Sequence, residues 1–311
     1  MRRATAILIG TLLTPALSLP AAEAAQTSPA RPLPPTLDEL KNATYTGIPE
    51  VRGPAKLQNG RWTGSPAKPG AASRPVVELA GDFRVVGDLD GDGVDESVVV
   101  LTYSSGGSGS LSYLAVMSRK SGSVRNIGTA ALGDRVQLRS VRVDNRKLLV
   151  SGVRPGIHDA ACCPGDLVEW QWTLNAGKLK SSGAKSTGRL SLASLAKTEW
   201  LLRGWDISEP AGKEPAVSLA YDAGRFSGTS GCNRYNAGVT DGKAPGELNV
   251  GPSAGTRMAC PGPQSEIEAR FLDQLSGART FGFMLGRLTI SYARANGSRG
   301  TMLFDLKTPV K

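Results

Sequence analysis

Short apolar runs, set apart by Gly, Asn, Asp and Ser, recur along this chain. Runs of that length with turn signals between them read as strands. Residues 83–86 and 97–101 flank an acidic stretch, and 111–117 follows a Gly/Ser turn. Residues 136–138, 140–143 and 147–150 continue the series, the last two joined by an Asp-Asn turn. Residues 168–174 alternate apolar and polar positions, as a half-buried strand does, before Asn175-Ala176-Gly177 turns the chain. Further on, 200–202, 217–221 and 225–228 read as strands, and 288–292 with 301–304 as a closing hairpin around Asn296-Gly297. Helical spacing is rarer. A short helix over 36–41 takes Thr36 as its cap. A longer one over 265–276 sets Ile267, Phe271, Leu272 and Leu275 on one face and stops at Gly277. The Asn59-Gly60 pair predicts a hairpin over 57–62, followed by a loop over 64–74. No period of roughly 20 to 50 residues recurs, which argues against a propeller or solenoid.

The expected fold class is therefore mostly β (α+β), with one helix packed on the second of two β-rich domains. The first domain spans 37–182 and the second 190–311, with the small, polar segment 183–189 as linker. Residues 26–36 are rich in Pro and form an extended lead-in. A chain of 311 residues suits one large domain or two ordinary ones, and 40% hydrophobic with 21% charged residues is a globular composition.

The N-terminus changes the picture. Arg2 and Arg3 precede an apolar stretch over 6–19, and Ala22-Glu23-Ala24 is a small-x-small cleavage pattern. That order reads as a secretory signal over 1–25. Its apolar run is too short to span a bilayer. No cysteine lies near the cleavage site, so the expected product is secreted or envelope-associated and not a lipoprotein. No later segment reads as a membrane helix. The net charge of +10 is scattered along the chain. It serves solubility or a loose attraction to an anionic cell-surface component, and the expected partners are that component or an envelope protein. Nucleic acid is not expected, because the chain has no basic run and no recognition motif.

The most pointed chemistry lies in Asp88-Leu89-Asp90-Gly91-Asp92-Gly93-Val94-Asp95-Glu96. Acidic residues at positions 1, 3 and 5, glycine at 6 and an acid at 9 are the spacing of a calcium loop. Asp88, Asp90 and Asp92 would supply side-chain oxygens, Val94 its carbonyl, and Glu96 a carboxylate directly or through water. So many carboxylates in one loop repel, and a hard divalent cation relieves the repulsion. Val99 occupies position 12, where an EF-hand has a bidentate Glu, and strands flank the loop. The loop resembles those between strands of FG-GAP and VCBS-type repeats, although one copy alone is present. Calcium (Ca2+), in a structural role, is the expected cofactor. A metal-free acidic hairpin turn is the alternative.

Four cysteines in an exported chain make disulfides the default. Cys162 and Cys163 follow His158, the one histidine. The adjacent pair either closes a strained vicinal ring or stays reduced. A zinc site built from these three lacks a fourth ligand at suitable spacing.

The C-terminal half carries a series of motifs in fixed order. Trp200-x-Leu202 opens it, and Arg225-Phe226-Ser227-Gly228 precedes Gly231-Cys232-Asn233-Arg234-Tyr235. Thr256-Arg257-Met258-Ala259-Cys260, Glu268-x-x-Phe271-Leu272, Leu288-Thr289-Ile290 and Leu303-Phe304 follow. Over about 194–308 the chain resembles the META domain of the HslJ-like bacterial family. The resemblance implies a mostly β fold with one packed helix and a role in envelope maintenance or stress tolerance; it implies no reaction. Cys232 and Cys260 are then expected to bridge two loops, or to stay as neighbouring thiols. Asn233 suits a self-bonded turn, and Arg257 offers a fork of donors. Gly231, Asn233, Arg234, Thr256 and Arg257 either organise loops or form a ligand site.

Catalytic patterns are weak. The chain has no G-x-S-x-G elbow, phosphate loop or dinucleotide fingerprint. Ser194 and Lys197 fit S-x-x-K, but the K-[ST]-G-like Lys185-Ser186-Thr187-Gly188 falls on the wrong side of the serine. The expected function is an exported, non-enzymatic binding or stress-tolerance protein. The alternatives are a secreted hydrolase using the first domain, or a surface interaction or inhibitor module.

Overall fold

The computed structural model describes residues 32–307 except 67, 69, 71, 108, 121 and 161. The expected signal over 1–25 and the lead-in before residue 32 lie outside the described residues. Thr36 caps α1 (Leu37–Lys41) through a reciprocal pair with Glu39, a capping box in which each satisfies a free amide of the other's turn. A small ladder, β1 (Thr44–Tyr45) with β2 (Ala55–Lys56), follows. Asn59 and Gly60 take positive φ angles of 50° and 84°, as an Asn-Gly turn does. The expected hairpin over 57–62 is reduced to one bridge, Gln58 to Arg61, because the strands on either side join different sheets.

A six-stranded sheet comes next: β3 (Arg61–Thr63), β4 (Val76–Leu79), β5 (Val85–Gly87), β6 (Glu96–Ser104), β7 (Leu111–Lys120) and β8 (Ser123–Asp134). The unbroken apolar run at the start of β6 has a physical reason. Val99 and Leu101 face one core, with Tyr45, Leu57 and Met117, while Val98 and Val100 face another. That second core is shared with a four-stranded antiparallel sheet. It comprises β9 (Gln137–Asp144), β10 (Lys147–Arg154), β11 (Asp166–Asn175) and β12 (Lys178–Arg189), which contribute Leu148, Val150, Val168, Trp170 and Trp172. Alternate residues of β6 thus fill two layers, so neither face can be polar.

One expectation fails here. Residues 183–189, read as a linker, are the second half of β12 and pair with β11 from Trp170↔Ala184 to Asp166↔Arg189. An edge strand draws its hydrogen bonds from its neighbour and needs no apolar side chains, so small polar residues suffice.

The remaining strands form one nine-stranded antiparallel sheet. These are β13 (Glu199–Asp206), β14 (Glu209–Pro210), β15 (Ser218–Asp222), β16 (Arg225–Thr229), β17 (Arg234–Asp241), β18 (Leu248–Gly255), β19 (Ala278–Met284), β20 (Arg287–Ala293) and β21 (Arg299–Leu306). The expected closing hairpin is β20–β21, paired from Leu288↔Phe304 to Ala293↔Arg299. Between β18 and β19 lies α2 (Gly262–Ser276), which buries Phe271 and Leu275 in the sheet's core with Ile267 and Leu272 at its margin. The two halves touch: Arg139 donates to the Ser194 carbonyl at 2.6 Å, and the Phe283 amide donates to Gln137 Oε1 at 3.0 Å. The protein is mostly β, as expected. Among the described residues no helix is long and apolar enough to cross a membrane.

Candidate functional sites

Two polar constellations stand out, one in each half of the chain. The first is the acidic loop between β5 and β6, whose ends pair directly as Gly87↔Glu96. The loop winds by binding its own amides. Asp88 accepts the Gly91 amide at 2.7 Å and the Gly93 amide at 3.1 Å. Asp90 Oδ1 accepts the Asp92 amide at 3.0 Å, and Asp92 Oδ1 the Val94 amide at 2.8 Å. Gly91 and Gly93 have φ of 81° and 82°, a region that side chains disfavour. A Cβ on Gly91 would also lie 2.6 Å from the Arg146 guanidinium carbon.

Glu96 closes the site from below. As the first residue of β6 it falls on the same face as Val98 and Val100 and exposes nothing to solvent. Its Oε2 accepts the Leu89 amide at 2.9 Å and the Asp90 amide at 3.4 Å. Its Oε1 has no hydrogen-bond partner of good geometry, and neither has the buried hydroxyl of Ser118, its neighbour across on β7, although that hydroxyl lies near enough to Glu96 to favour the charged carboxylate. Burial pushes the Glu96 carboxyl above the usual range against the pull of the Leu89 amide, and the Asp90 charge adds to the rise. Asp88, Asp90 and Glu96 bring carboxylate oxygens within 4.8 Å of one another, a spacing on which one cation can close. Asp92 is not part of that trio. It is exposed, and Lys120 Nζ lies 3.5 Å from it and 3.0 Å from Asp90. Burial opposes ionisation of Asp90, but the Lys120 and Asp92 hydrogen bonds outweigh it and hold its carboxyl below the usual value.

The second constellation lies where the β16–β17 turn meets α2. Gly231, at φ 99°, lets the turn pass under the helix, and a Cβ there would lie 2.7 Å from Ile267 Cγ2. Asn233, 6% exposed, is the hub. Its Oδ1 accepts the Thr256 hydroxyl at 2.7 Å and the Met258 amide at 2.8 Å. Its Nδ2 donates to Glu268 at 3.1 Å and to the Met258 carbonyl at 3.4 Å. The Asn233 amide and the Ser230 hydroxyl each donate to Glu268 Oε2 at 2.9 Å. Cys232 and Cys260 are placed as a pair, with Cα atoms 6.1 Å apart, a separation a disulfide spans. Tyr235 packs edge-on against Phe271 at 5.2 Å and completes the seat of the helix.

The structure thus gathers Gly231, Asn233 and Thr256 but leaves Arg234 and Arg257 on the surface, where neither side chain has a hydrogen bond or salt bridge among the described residues. Ser230 and Glu268 are the members to which sequence reasoning gave no role, although Glu268 stood in the helix motif. The signal for Glu268 was its place beside Ile267 on the apolar side of the helix, where a carboxylate needs a partner. Cys162 and Cys163 are also paired with each other, in the loop between β10 and β11. His158 beside them is exposed.

Fold and sites together define a mostly β protein with a packed polar hub under one helix and an acidic hairpin loop at a sandwich rim. Residues 193–304 match the family model of the META domain, so the chain carries that domain in its C-terminal part. An NMR structure of a protein from Burkholderia xenovorans is 28% identical over 38% of this chain and 86% of its own length, at a TM-score of 0.30, too low to bear on the fold. No curated protein matches the chain. No match supports the likeness of the acidic loop to FG-GAP or VCBS repeats.

Proposed function

We propose that this is an exported, non-catalytic protein of the bacterial envelope or its surroundings, in which the META domain serves a binding and stress-tolerance role and the acidic loop holds a structural calcium ion. The observation that carries the calcium reading is the buried Glu96 oxygen without a partner, beside Asp88 and Asp90. A buried unpaired carboxylate oxygen is costly, and a hard cation with oxygen ligands removes that cost. Asp88, Asp90 and Glu96 would hold the ion, with Asp92 and the Val94 carbonyl completing the set. The ion would brace the loop that closes the β5–β6 hairpin.

A binding role is favoured at the META domain because its polar hub is committed to its own architecture, while Arg234, Arg257 and Met258 face outward. That surface suits an anionic cell-surface component. The test is thermal melting of chelator-stripped protein with and without millimolar calcium, joined to cosedimentation with an anionic cell-wall polymer. A calcium-dependent rise in Tm, and sedimentation that fades with salt and in an Arg234→Ala/Arg257→Ala variant, are expected. An unchanged Tm removes the ion, and salt-insensitive or absent sedimentation removes the anionic partner.

A further inference from the structure

We propose that Lys120 is a built-in competitor for the ion at the acidic loop. In the absence of calcium its ammonium takes the place from which calcium would neutralise Asp90 and Asp92. The inference rests on the calcium reading above and concerns how that site is tuned.

Each of the two aspartates uses one oxygen inside the loop. Asp90 Oδ1 takes the Asp92 amide, and Asp92 Oδ1 takes the Val94 amide. The two remaining oxygens, both Oδ2, face a single ammonium, Lys120 Nζ, at 3.0 Å and 3.5 Å. Lys120 is the last residue of β7, and the Ser97↔Met117 register carries the end of that strand past the start of β6 and so to the loop. The lysine is half-exposed on a flexible stem, so it can leave for water at little cost. It also neutralises the loop only in part. It meets the rim oxygens, while Oε1 of Glu96 beneath them stays without a partner. One charge with three donors cannot replace a divalent ion that collects oxygens from every side. The other cation at the loop, Arg146, lies over Gly91 and makes no salt bridge with these carboxylates among the described residues.

Calcium binding must therefore expel Lys120 from Asp90, and the loop's affinity is lower by what that contact is worth. Such an arrangement suits an extracellular site, where weak binding at high calcium levels is the rule. It also gives the loop two states: an ammonium-closed form, and an ion-closed form in which the end of β7 is released.

The experiment is calorimetric titration of chelator-stripped protein with calcium chloride, for the natural chain, Lys120→Met and Lys120→Arg. Lys120→Met should bind roughly three- to fivefold tighter, the upper part of the range expected for losing one partly exposed competing ion pair. Lys120→Arg, which keeps a cation there, should stay within about twofold of the natural chain. The calcium-induced rise in Tm should be larger in Lys120→Met, because its calcium-free loop has lost its neutralising charge. Lys120→Gln repeats the test should the methionine variant not fold. Calcium binding by the natural chain with unchanged or weaker binding by the folded neutral variants would overturn the role of Lys120 and leave the calcium site standing. No binding by any of the proteins would overturn the calcium reading itself, and this inference with it.

Discussion

The hub at Asn233 and the acidic loop at Asp88–Glu96 are both polar clusters pressed against a core, yet they differ in one respect. Around Asn233 every group has an answer within the protein: Oδ1 has two donors, and the Nδ2 amide and both Glu268 oxygens have partners. In the acidic loop the amides are answered but Glu96 Oε1 is not. A closed network fixes one structure; a network with an open, buried acceptor fixes a structure and leaves room for something else. Burial alone therefore does not separate a structural cluster from a binding site. An unanswered carboxylate oxygen set beside two further carboxylates does.

The comparison can be broken most forcefully at the hub. Asn233→Ala strips partners from Thr256, the Met258 amide and Glu268 at once, and should cost on the order of 4 kcal/mol of stability. Glu268→Ala should cost a similar amount, and the double variant much less than their sum, with a coupling of about 2 kcal/mol. Urea denaturation of the four proteins gives the cycle. Additivity within about 0.5 kcal/mol would mean the hub does not act as a unit, and the contrast with the acidic loop would lose one side.

How far each cluster could be read in the sequence follows from where its partners come from. Asp88, Asp90 and Glu96 are local, and their spacing shows in the string. The open oxygen of Glu96 does not, because its burial depends on that face of β6 lying against the core shared with the β9–β12 sheet. At the hub the turn residues are visible as a motif, but Glu268 arrives from a helix 35 positions away. The fold divides similarly. The two-sided apolar run of β6 and the single face of α2 announce themselves. β12, exposed along nearly its whole length, and β18, with Gly251, Pro252, Ser253 and Gly255, carry almost no apolar signal. Such strands are held by backbone bonds to a neighbour, which no side-chain pattern records. For that reason a segment that looked like a linker is strand.

A sharper contrast comes from closing the acidic loop's open atom by substitution. Glu96→Gln removes the buried charge and keeps an oxygen for the Leu89 and Asp90 amides. Glu96 exposes nothing, but it lies near the rim of its sheet, so the relief is moderate. Without calcium the variant should be more stable by about 1–2 kcal/mol. With calcium present the order should reverse, because the natural chain alone gains from the ion. A variant that is destabilised under both conditions would show that Glu96 is an ordinary structural carboxylate, and the two clusters would then be alike.

The smallest effect comes from a third carboxylate that shows what complete satisfaction looks like. Asp159, in the loop of the paired Cys162 and Cys163, accepts the Gly156 and Gly165 amides at 2.7 Å each and is clasped by Arg189. The Arg189 hydrogen bonds, helped by those amides, outweigh burial and hold its carboxyl at about 2. Its side chain is shielded from water by its own loop, yet few atoms beyond that loop surround it, which keeps the energetic consequence small. The sign is opposite to that of Glu96. A lowered carboxyl contributes stability that is complete above its unfolded value of about 4 and is lost as pH falls toward about 2. A raised one opposes folding above its unfolded value, and that opposition fades as pH falls. Urea midpoints measured at neutral pH and at steps down through this window should therefore decline less steeply in Asp159→Asn than in the natural chain. In Glu96→Gln without calcium, the stability gained at neutral pH should shrink over the same steps. If the acid limb of Asp159→Asn matches that of the natural chain, the Arg189 clasp carries no stability, and a carboxylate with every partner in place differs from one without only in geometry.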